Sequence, residues 1–151
     1  MAAADVAPER LELARRLGAD ALIDTRTCDA ADEMRRLTDG RGADVAVEAV
    51  GLPATVRIAV ESVRKGGALA LVGNLSPEVV LPLQSVVTRE VTLFGSCASN
   101  GEYPACLELM AGRRVDVRSL ISAVAPLGEG PSWFKRLYDR EPGLLKVVLA
   151  P

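Results

Sequence analysis

The chain has 151 residues, of which 49% are hydrophobic and 25% charged, with a formal net charge of −2. This composition is enough for a core of ordinary size and excludes intrinsic disorder. No apolar run is long enough to span a membrane, and no signal peptide is recognisable after Met1. The near-neutral charge, with arginines mixed among acidic residues, does not indicate nucleic-acid binding. We therefore expect a soluble cytoplasmic protein without membrane or nucleic-acid partners.

The residue types exclude several kinds of chemistry. The chain contains no histidine, which removes the usual general base and the commonest zinc ligand. Its three cysteines, Cys28, Cys97 and Cys106, form no C-x-x-C pair. We expect reduced thiols and no metal site built from this chain alone.

Hydrophobic periodicity predicts alternating helices and short strands. The predicted helices cover residues 7–17, 29–37, 53–63, 83–88, 102–111 and 131–138. The predicted strands cover residues 21–23, 44–50, 68–72, 91–94, 120–124 and 145–149. In the third helix, Val56, Ala59, Val60 and Val63 are predicted to face inward.

The strands are almost entirely apolar, which is typical of a parallel sheet covered on both faces in an α/β fold. Three successive strands are followed by a glycine: Gly51, Gly73 and Gly95. Each glycine on its own is compatible with a tight βα turn. Three in succession favour a ligand crevice at the carboxyl ends of the strands.

Asp5 stands where a strand before the first helix would end. An acidic residue at this position of a dinucleotide-binding fold accepts hydrogen bonds from the adenosine ribose and repels the 2′-phosphate of NADP. Arg10 could lie over the same ribose. Position alone leaves open a second interpretation, in which Asp5 caps the helix and Arg10 is a solvated surface residue.

Five segments are similar in order and spacing to the C-terminal part of medium-chain, zinc-dependent alcohol dehydrogenases. They are DVAPERLELARRLGADALID, GRGADVAVEAVG, RKGGALALVGN, LPLQSVVTREVTLFGS and ACLELMAGRRVDVRSLIS. The likeness is to the polyol branch: sorbitol, threonine and galactitol-phosphate dehydrogenases. It implies an incomplete Rossmann-type parallel sheet, with a partial NAD-binding domain at residues 1–96. Residues 97–151 would be a segment that returns to the catalytic domain.

The resemblance also implies site residues. Asp5 and Arg10 match the pair that holds the adenosine ribose of NAD, and Val50 and Gly51 match the adenine side of the cleft. The nicotinamide ribose and the carboxamide would lie near two further groups: Val72, Gly73 and Asn74, then Ser96, Cys97 and Ala98. For Cys97, packing of a small buried thiol is favoured over a functional role. Glu48 is expected to be structural, and no residue is assigned a catalytic role.

Other features of the family are expected before Asp5 and are not found in residues 1–151. They include the G-x-G-x-x-G turn that holds the pyrophosphate, the zinc ligands and most of the substrate pocket. We therefore expect weak or absent NAD binding and no activity from this chain alone, as in a fragment of a polyol or secondary-alcohol dehydrogenase. In the strand order 3-2-1-4-5-6, the strand at 21–23 is expected to lose its neighbour in the sheet. It would then pair elsewhere, dock directly on the strand at 44–50 or stay unpaired. Free edges, and the family's dimer contact through the sixth strand, predict a homo-oligomer.

Alternatives from other classes stay open at this point. The chain could be a non-catalytic module that oligomerises or complements a second polypeptide. The Tyr-x-x-x-Lys motif of short-chain dehydrogenases and the P-loop are both absent. Asp5 argues against an NADPH-dependent quinone reductase, and the C-terminal motifs argue against a methyltransferase. Arg113, Arg114 and Arg118 predict a solvated basic patch, although a phosphorylated polyol could use one of them.

Overall fold

The computed structural model describes residues 1–151. Its contacts divide the chain into two compact units, Met1–Ala98 and Ser99–Pro151. The first unit contains β1 (Ala2–Asp5), α1 (Pro8–Arg16), β2 (Ala21–Asp24), α2 (Ala30–Leu37), β3 (Ala43–Glu48), α3 (Pro53–Ser62), β4 (Val63–Leu71), α4 (Leu83–Thr88) and β5 (Thr92–Gly95). The second contains α5 (Tyr103–Ala111), β6 (Ala123–Pro126), α6 (Gly130–Tyr138) and β7 (Val147–Ala150), with 3₁₀ turns at Arg118–Leu120 and Leu127–Glu129.

All strand pairs are parallel, and the first unit holds two separate sheets. One sheet consists of β1 and β2, and the other has the order β3-β4-β5. Helices connect the successive strands, as parallel pairing requires. The predicted α/β class with parallel strands is confirmed.

The expectation that the strand near residues 21–23 has lost its neighbour in the sheet is wrong. Residues Ala2 to Asp5 form β1, which pairs with β2 in a register that places Asp5 opposite Asp24. The physical reason for the error is the Ala-Ala-Ala sequence of β1, because alanine is depleted in strands and gives almost no strand signal. The pairing orders both strands and places their carboxyl ends side by side.

The main core forms where α3 packs on the three-stranded sheet. The four inward residues predicted for α3 and its end (Val56, Ala59, Val60 and Val63) are all buried. Ala59, Val60 and Val63 form one cluster with Leu69 on β4, and Ala46 and Leu93 pack around it from β3 and β5. Pro53 begins the helix at its first turn, and the chain passes directly from Ser62 into β4. Burial of this cluster fixes the positions of the three strands.

The opposite face of the three-stranded sheet is open to solvent. Val45 is 62% exposed, Val47 67% and Phe94 57%. Val47, Ala70 and Phe94 are register partners across the sheet, so these side chains lie on one face. We call it the bare face. The prediction of a sheet covered on both faces is therefore wrong for these strands. Apolar side chains show that a face of the sheet is suited to burial, but they do not show that residues 1–151 cover that face.

In the second unit β6 and β7 pair in parallel, with Ala123 opposite Val147. The predicted strands at 120–124 and 145–149 exist, but both begin later than predicted. Arg118–Leu120 is a 3₁₀ turn, stabilised at its start by the Asp116 carboxylate, which accepts hydrogen bonds from the amides of Arg118 and Ser119. No helix of either unit has the length and apolarity needed to cross a membrane.

Candidate cofactor site

Two acidic residues end the paired strands β1 and β2. Asp5 and Asp24 are register partners, so their backbones are adjacent at the carboxyl edge of this sheet. Ligands bind at this edge in open α/β sheets. The pairing therefore brings two carboxylates to the edge where the ribose interaction is predicted.

Asp5 is held by the turn that leads into α1. Its Oδ1 atom accepts a hydrogen bond of 2.9 Å from the amide of Ala7, and its Oδ2 atom lies 3.8 Å from Nη1 of Arg10. The helix begins after Ala7 without any side-chain cap. Asp5 thus bonds to the turn and does not cap the helix. Its other carboxylate oxygen faces Arg10.

The structure adds a second pair that sequence reasoning missed. Asp24 and Arg26 form a bidentate ion pair, in which Nε of Arg26 donates to Oδ1 of Asp24 at 2.9 Å and Nη2 donates to Oδ2 at 2.6 Å. The hydrogen bonds from Arg26 hold the pKa of Asp24 down, from an ordinary 3.8 to about 2. The signal was available, since Asp24 directly follows the predicted strand 21–23, the same kind of position that singled out Asp5. This pair keeps a charged carboxylate next to Asp5.

The loops that follow β3 and β4 are joined by backbone hydrogen bonds. The carbonyl of Glu48 accepts from the amides of Val72 and Gly73, at 2.8 and 3.1 Å. The carbonyls of Val50 and Gly51 accept from the amides of Leu75 and Ser76, at 3.2 and 2.9 Å. The predicted residues Val50, Gly51, Val72, Gly73 and Asn74 are therefore brought together in one pair of loops.

The buried side chain of Glu48 accepts hydrogen bonds from backbone amides of the loop that follows β3. Glu48 is 4% exposed. Its Oε1 atom accepts from the amides of Val50 and Gly51 at 2.9 and 2.8 Å, and its Oε2 atom also accepts from Gly51 at 3.0 Å. A buried carboxylate of this kind is stabilised by the amides that it satisfies. The contacts agree with the structural role expected for Glu48.

The segment after β5 begins beside the same loops. The amide of Ser96 donates to the carbonyl of Leu71 at 2.9 Å, which continues the β4–β5 pairing past the strand end. Cys97 is exposed, so the favoured interpretation of Cys97 as a buried packing thiol is wrong. A cysteine is small enough to be buried, but Cys97 lies beyond the strand ends, where its side chain is open to solvent. Ala98 is also exposed and has a positive φ of 52°.

The predicted site residues thus form two groups on two sheets. Asp5 and Arg10 belong to the β1–β2 sheet, and the residues from Val50 to Ala98 belong to the loops of the three-stranded sheet. Arg113, Arg114 and Arg118 are exposed, in the second unit.

The residues suit a nucleotide better than a metal ion. No group of three or more His, Cys, Asp or Glu side chains could hold a metal, so zinc does not fit residues 1–151. A partly exposed carboxylate at a strand end, with an arginine beside it, has the chemistry needed to accept ribose hydroxyl hydrogen bonds. This strand end therefore carries a hydrogen-bond acceptor, Asp5, and a donor, Arg10.

Comparison with known proteins identifies the relatives of this chain. The family model described as zinc-binding dehydrogenase matches residues 1–112. The sorbitol dehydrogenase of Bacillus subtilis is 34% identical over 148 residues, which are 97% of this chain and 42% of that protein. The chain thus spans about two fifths of the length of this relative.

Solved structures agree with the sequence comparison. An alcohol dehydrogenase from Thermus sp. ATN1 is 34% identical with a TM-score of 0.87, covering 97% of this chain and 42% of that one. Galactitol-1-phosphate dehydrogenase from Escherichia coli is 26% identical with a TM-score of 0.85, covering 99% of this chain and 46% of that one. Family model, sequence identity and fold all agree: the chain belongs to the zinc-binding dehydrogenase family.

Proposed function

We propose that residues 1–96 bind NAD at the carboxyl edge of their strands, as part of a zinc-containing dehydrogenase that oxidises a polyol or another secondary alcohol. The observation that carries the proposal is the Asp5 carboxylate at the end of β1, with Arg10 Nη1 3.8 Å from it. A carboxylate here accepts ribose hydroxyl hydrogen bonds and repels a 2′-phosphate, which favours NAD over NADP. When bound, NAD accepts the hydride of the alcohol.

The residues of this chain have limited roles in that reaction. Asp5 and Arg10 hold the adenosine ribose, Val50 and Gly51 border the adenine, and Val72, Gly73 and Asn74 border the nicotinamide ribose. Ser96, Cys97 and Ala98 face the carboxamide. A zinc ion, which would supply Lewis-acid chemistry to the alcohol, would need ligands other than those of residues 1–151, and no catalytic group is assigned within them. The substrate class rests on the sorbitol and galactitol-1-phosphate dehydrogenases among the relatives, and the setting is cytoplasmic.

Titration of the ¹⁵N-labelled chain with NAD and NADP tests the cofactor proposal. We expect weak, millimolar binding of NAD that shifts the amide resonances of Asp5, Ala7 and Arg10, and weaker binding of NADP. Asp5→Asn keeps an oxygen for the Ala7 amide but loses the charge. In this variant the ratio of NAD affinity to NADP affinity should fall about fivefold, because ~1 kcal/mol of repulsion between the exposed carboxylate and the 2′-phosphate is lost.

Asp32→Asn, on the exposed surface of α2, is the matched control and should leave the preference unchanged. Equal binding of NAD and NADP by the parent would overturn the proposal, as would the absence of shifts near Asp5 at millimolar NAD. Tight binding would contradict the weak affinity expected without a pyrophosphate turn.

A second candidate function is a non-catalytic module that oligomerises or complements another polypeptide. The observations that favour it are the bare face and the free strand edges of the first unit. Binding of a second polypeptide without NAD binding or alcohol oxidation by the complex would favour this function over the first.

A further inference from the structure

The ends of β1 and β2 hold two ion pairs side by side. Asp5 and Asp24 are register partners, and the amide of Thr25 donates to the carbonyl of Asp5 at 3.2 Å, so the strands stay paired to their last residues. Side chains of register partners lie on the same face of a sheet, on strands about 4.8 Å apart. The two carboxylates therefore share one surface, and each forms an ion pair with an arginine, Arg10 or Arg26.

The two ion pairs differ in how firmly the arginine is held. Arg10 approaches Asp5 with one nitrogen at 3.8 Å, which leaves its guanidinium group able to turn towards a ligand. Arg26 is held to Asp24 at three points: its backbone amide donates to Oδ1 at 3.0 Å, Nε donates to the same oxygen at 2.9 Å, and Nη2 donates to Oδ2 at 2.6 Å. The carbonyl of Asp24 also accepts from the amide of Thr27 at 3.0 Å. This turn fixes the guanidinium group against the carboxylate.

The guanidinium group of Arg26 lies near the start of α1, which packs against both β1 and β2. The pKa of Arg26 is raised, first by its hydrogen bonds with Asp24 and further by negative charges that include Glu9. Glu9 is in the first turn of α1, which follows Asp5 and also carries Arg10. Arg26 is therefore close to the position proposed for the adenosine ribose.

An unpaired arginine at this place would change the cofactor preference. A guanidinium group binds a phosphate through two parallel hydrogen bonds, and an arginine beside the ribose accommodates the 2′-phosphate of NADP in dinucleotide-binding folds. The Asp24 carboxylate neutralises the charge of Arg26 and occupies the side of the guanidinium group that carries Nε and Nη2. A phosphate would have to displace Asp24 before it could form a bidentate contact on this side.

We propose that Asp24 is a positioning residue that determines cofactor specificity: it keeps Arg26 paired, so that this arginine does not bind the 2′-phosphate of NADP. The inference rests on the proposed function in one respect, the position of the adenosine ribose at Asp5. Asp5 repels the 2′-phosphate directly, whereas Asp24 acts through the arginine that it holds. The preference for NAD therefore has two separate sources.

Two nucleotides that differ only in the 2′-phosphate test this role: adenosine 5′-monophosphate and adenosine 2′,5′-bisphosphate. Each is titrated into the full ¹⁵N-labelled chain at low salt, and its affinity is read from the amide resonances of Asp5, Ala7 and Arg10. Asp24→Asn keeps an oxygen for the Arg26 amide but loses the charge. In this variant the ratio of bisphosphate affinity to monophosphate affinity should rise about fivefold, because an exposed arginine becomes available to the 2′-phosphate. An unchanged ratio would overturn the proposal.

The double variant Asp24→Asn/Arg26→Gln separates the released arginine from the lost carboxylate. It should lose most of the gain seen in Asp24→Asn, because the group that binds the 2′-phosphate is removed. A double variant that keeps the full gain would show that Asp24 acts by direct repulsion and would overturn the proposal. Asp32→Asn, which breaks an exposed ion pair with Arg35 on α2, is the matched control and should leave the ratio unchanged.

The Nε–Hε resonance of Arg26 gives a direct readout that a general loss of stability would not produce. In the parent this resonance should stay in place when the bisphosphate is added, and a shift there would overturn the proposal. In Asp24→Asn it should shift with the bisphosphate. Asp24→Thr, whose hydroxyl can also accept from the Arg26 amide, is a second variant with the same expected shift. Urea unfolding shows whether each variant is folded under the titration conditions.

The outcomes separate this inference from the proposed function. Shifts near Asp5 with the monophosphate in the parent, together with no gain in Asp24→Asn, support the cofactor proposal and contradict the role of Asp24. Binding of the bisphosphate at Arg26 in Asp24→Asn, with no shift near Asp5 in any variant, supports the role of Asp24 and contradicts the cofactor proposal.

Discussion

Gly51 and Gly73 lie with their backbones in direct contact. A Cβ atom on Gly73 would stand 2.2 Å from the backbone nitrogen of Gly51, and one on Gly51 would stand 2.3 Å from the carbonyl carbon of Gly73. Gly51 also has a φ of +79°, in the left-handed region that other residues rarely adopt. The glycines after β3 and β4 thus serve the approach of two loops to each other, and this contact sets the form of the candidate cofactor site.

Alanine substitution of either glycine should destabilise the protein. Gly51→Ala and Gly73→Ala each force two backbones apart, and we expect a loss of about 2 kcal/mol or more in the free energy of unfolding, measured in urea. Gly95→Ala is the matched control, because Gly95 also ends a strand but a Cβ there would meet nothing within 4 Å. A loss of equal size in all three variants would contradict the explanation.

Removal of the Glu48 carboxylate should also destabilise the loop pair. Glu48→Ala leaves the amides of Val50 and Gly51 without their acceptor in a buried place, which costs about 1–3 kcal/mol by thermal or urea unfolding. Glu48→Gln should cost less than Glu48→Ala, because the amide oxygen of glutamine can replace Oε1 as the acceptor for both amides. Some cost remains, because the NH₂ group of glutamine is a donor and would face the Gly51 N–H. Glu12→Ala, on the exposed face of α1, is the control. A Glu48→Gln variant less stable than Glu48→Ala would refute this account.

The ion pair of Asp24 and Arg26 predicts an acid-dependent contribution to stability. The folded pKa of about 2 lies below the ordinary 3.8, so the contribution is present above pH ~3.8 and is lost as the pH falls towards 2. Carboxyl ¹³C NMR should show Asp24 titrating near pH 2 in the parent and at a higher pH in Arg26→Gln. Arg10→Gln should leave the titration unchanged. An unchanged midpoint in Arg26→Gln would show that Arg26 does not lower this pKa.

Arg89 should stabilise the end of α3 through its guanidinium group. The side chain is half-buried, and its Nη atoms donate to the carbonyls of Val60 at 2.7 Å and Val63 at 2.8 Å. Arg89→Met leaves these carbonyls without donors and should cost about 2 kcal/mol of unfolding free energy. Arg57→Met, which removes an exposed ion pair with Glu61, should cost less than about 0.5 kcal/mol. Equal costs for the two variants would argue against this role.

The free outer edge of β5 predicts self-association. The chain should sediment as a dimer or larger species whose proportion increases with concentration. Thr92→Lys adds a charge to the exposed edge and should shift the equilibrium towards monomer. Gln84→Lys adds the same charge to the exposed side of α4 and should not. A monodisperse monomer throughout the concentration range would contradict the expectation.

Much of the first unit was predictable from local patterns. The inward face of α3 follows from its helical period, and the bounds of α4 agree with the prediction at both ends. The order of helices and strands and the parallel class follow from their alternation. The family was recognised from five short motifs, and the family model that covers residues 1–112 confirms it.

The failures have physical causes that no local pattern contains. β1 is a strand because β2 lies beside it, although its alanines give no strand signal of their own. The sequence predicts that the bare face is buried, because its residues are apolar. Apolar residues favour burial, but the sequence does not show which neighbours, if any, cover them. The Asp24–Arg26 pair is a different case, because its signal is local: Asp24 is the last residue of β2, one residue beyond the predicted strand.

The separation of the two sheets has a further consequence for how the first unit opens. No ladder joins β1 and β2 to the other three strands, so cooperativity between the two parts passes through the packing of α2 against α3. The cluster around Val60 and Leu69 belongs wholly to the larger part. Residues 1–24 can therefore unfold as a foldon of low local stability while that cluster stays intact. Mutations at the α2–α3 contact would then change the coupling between the two foldons more than the stability of either one.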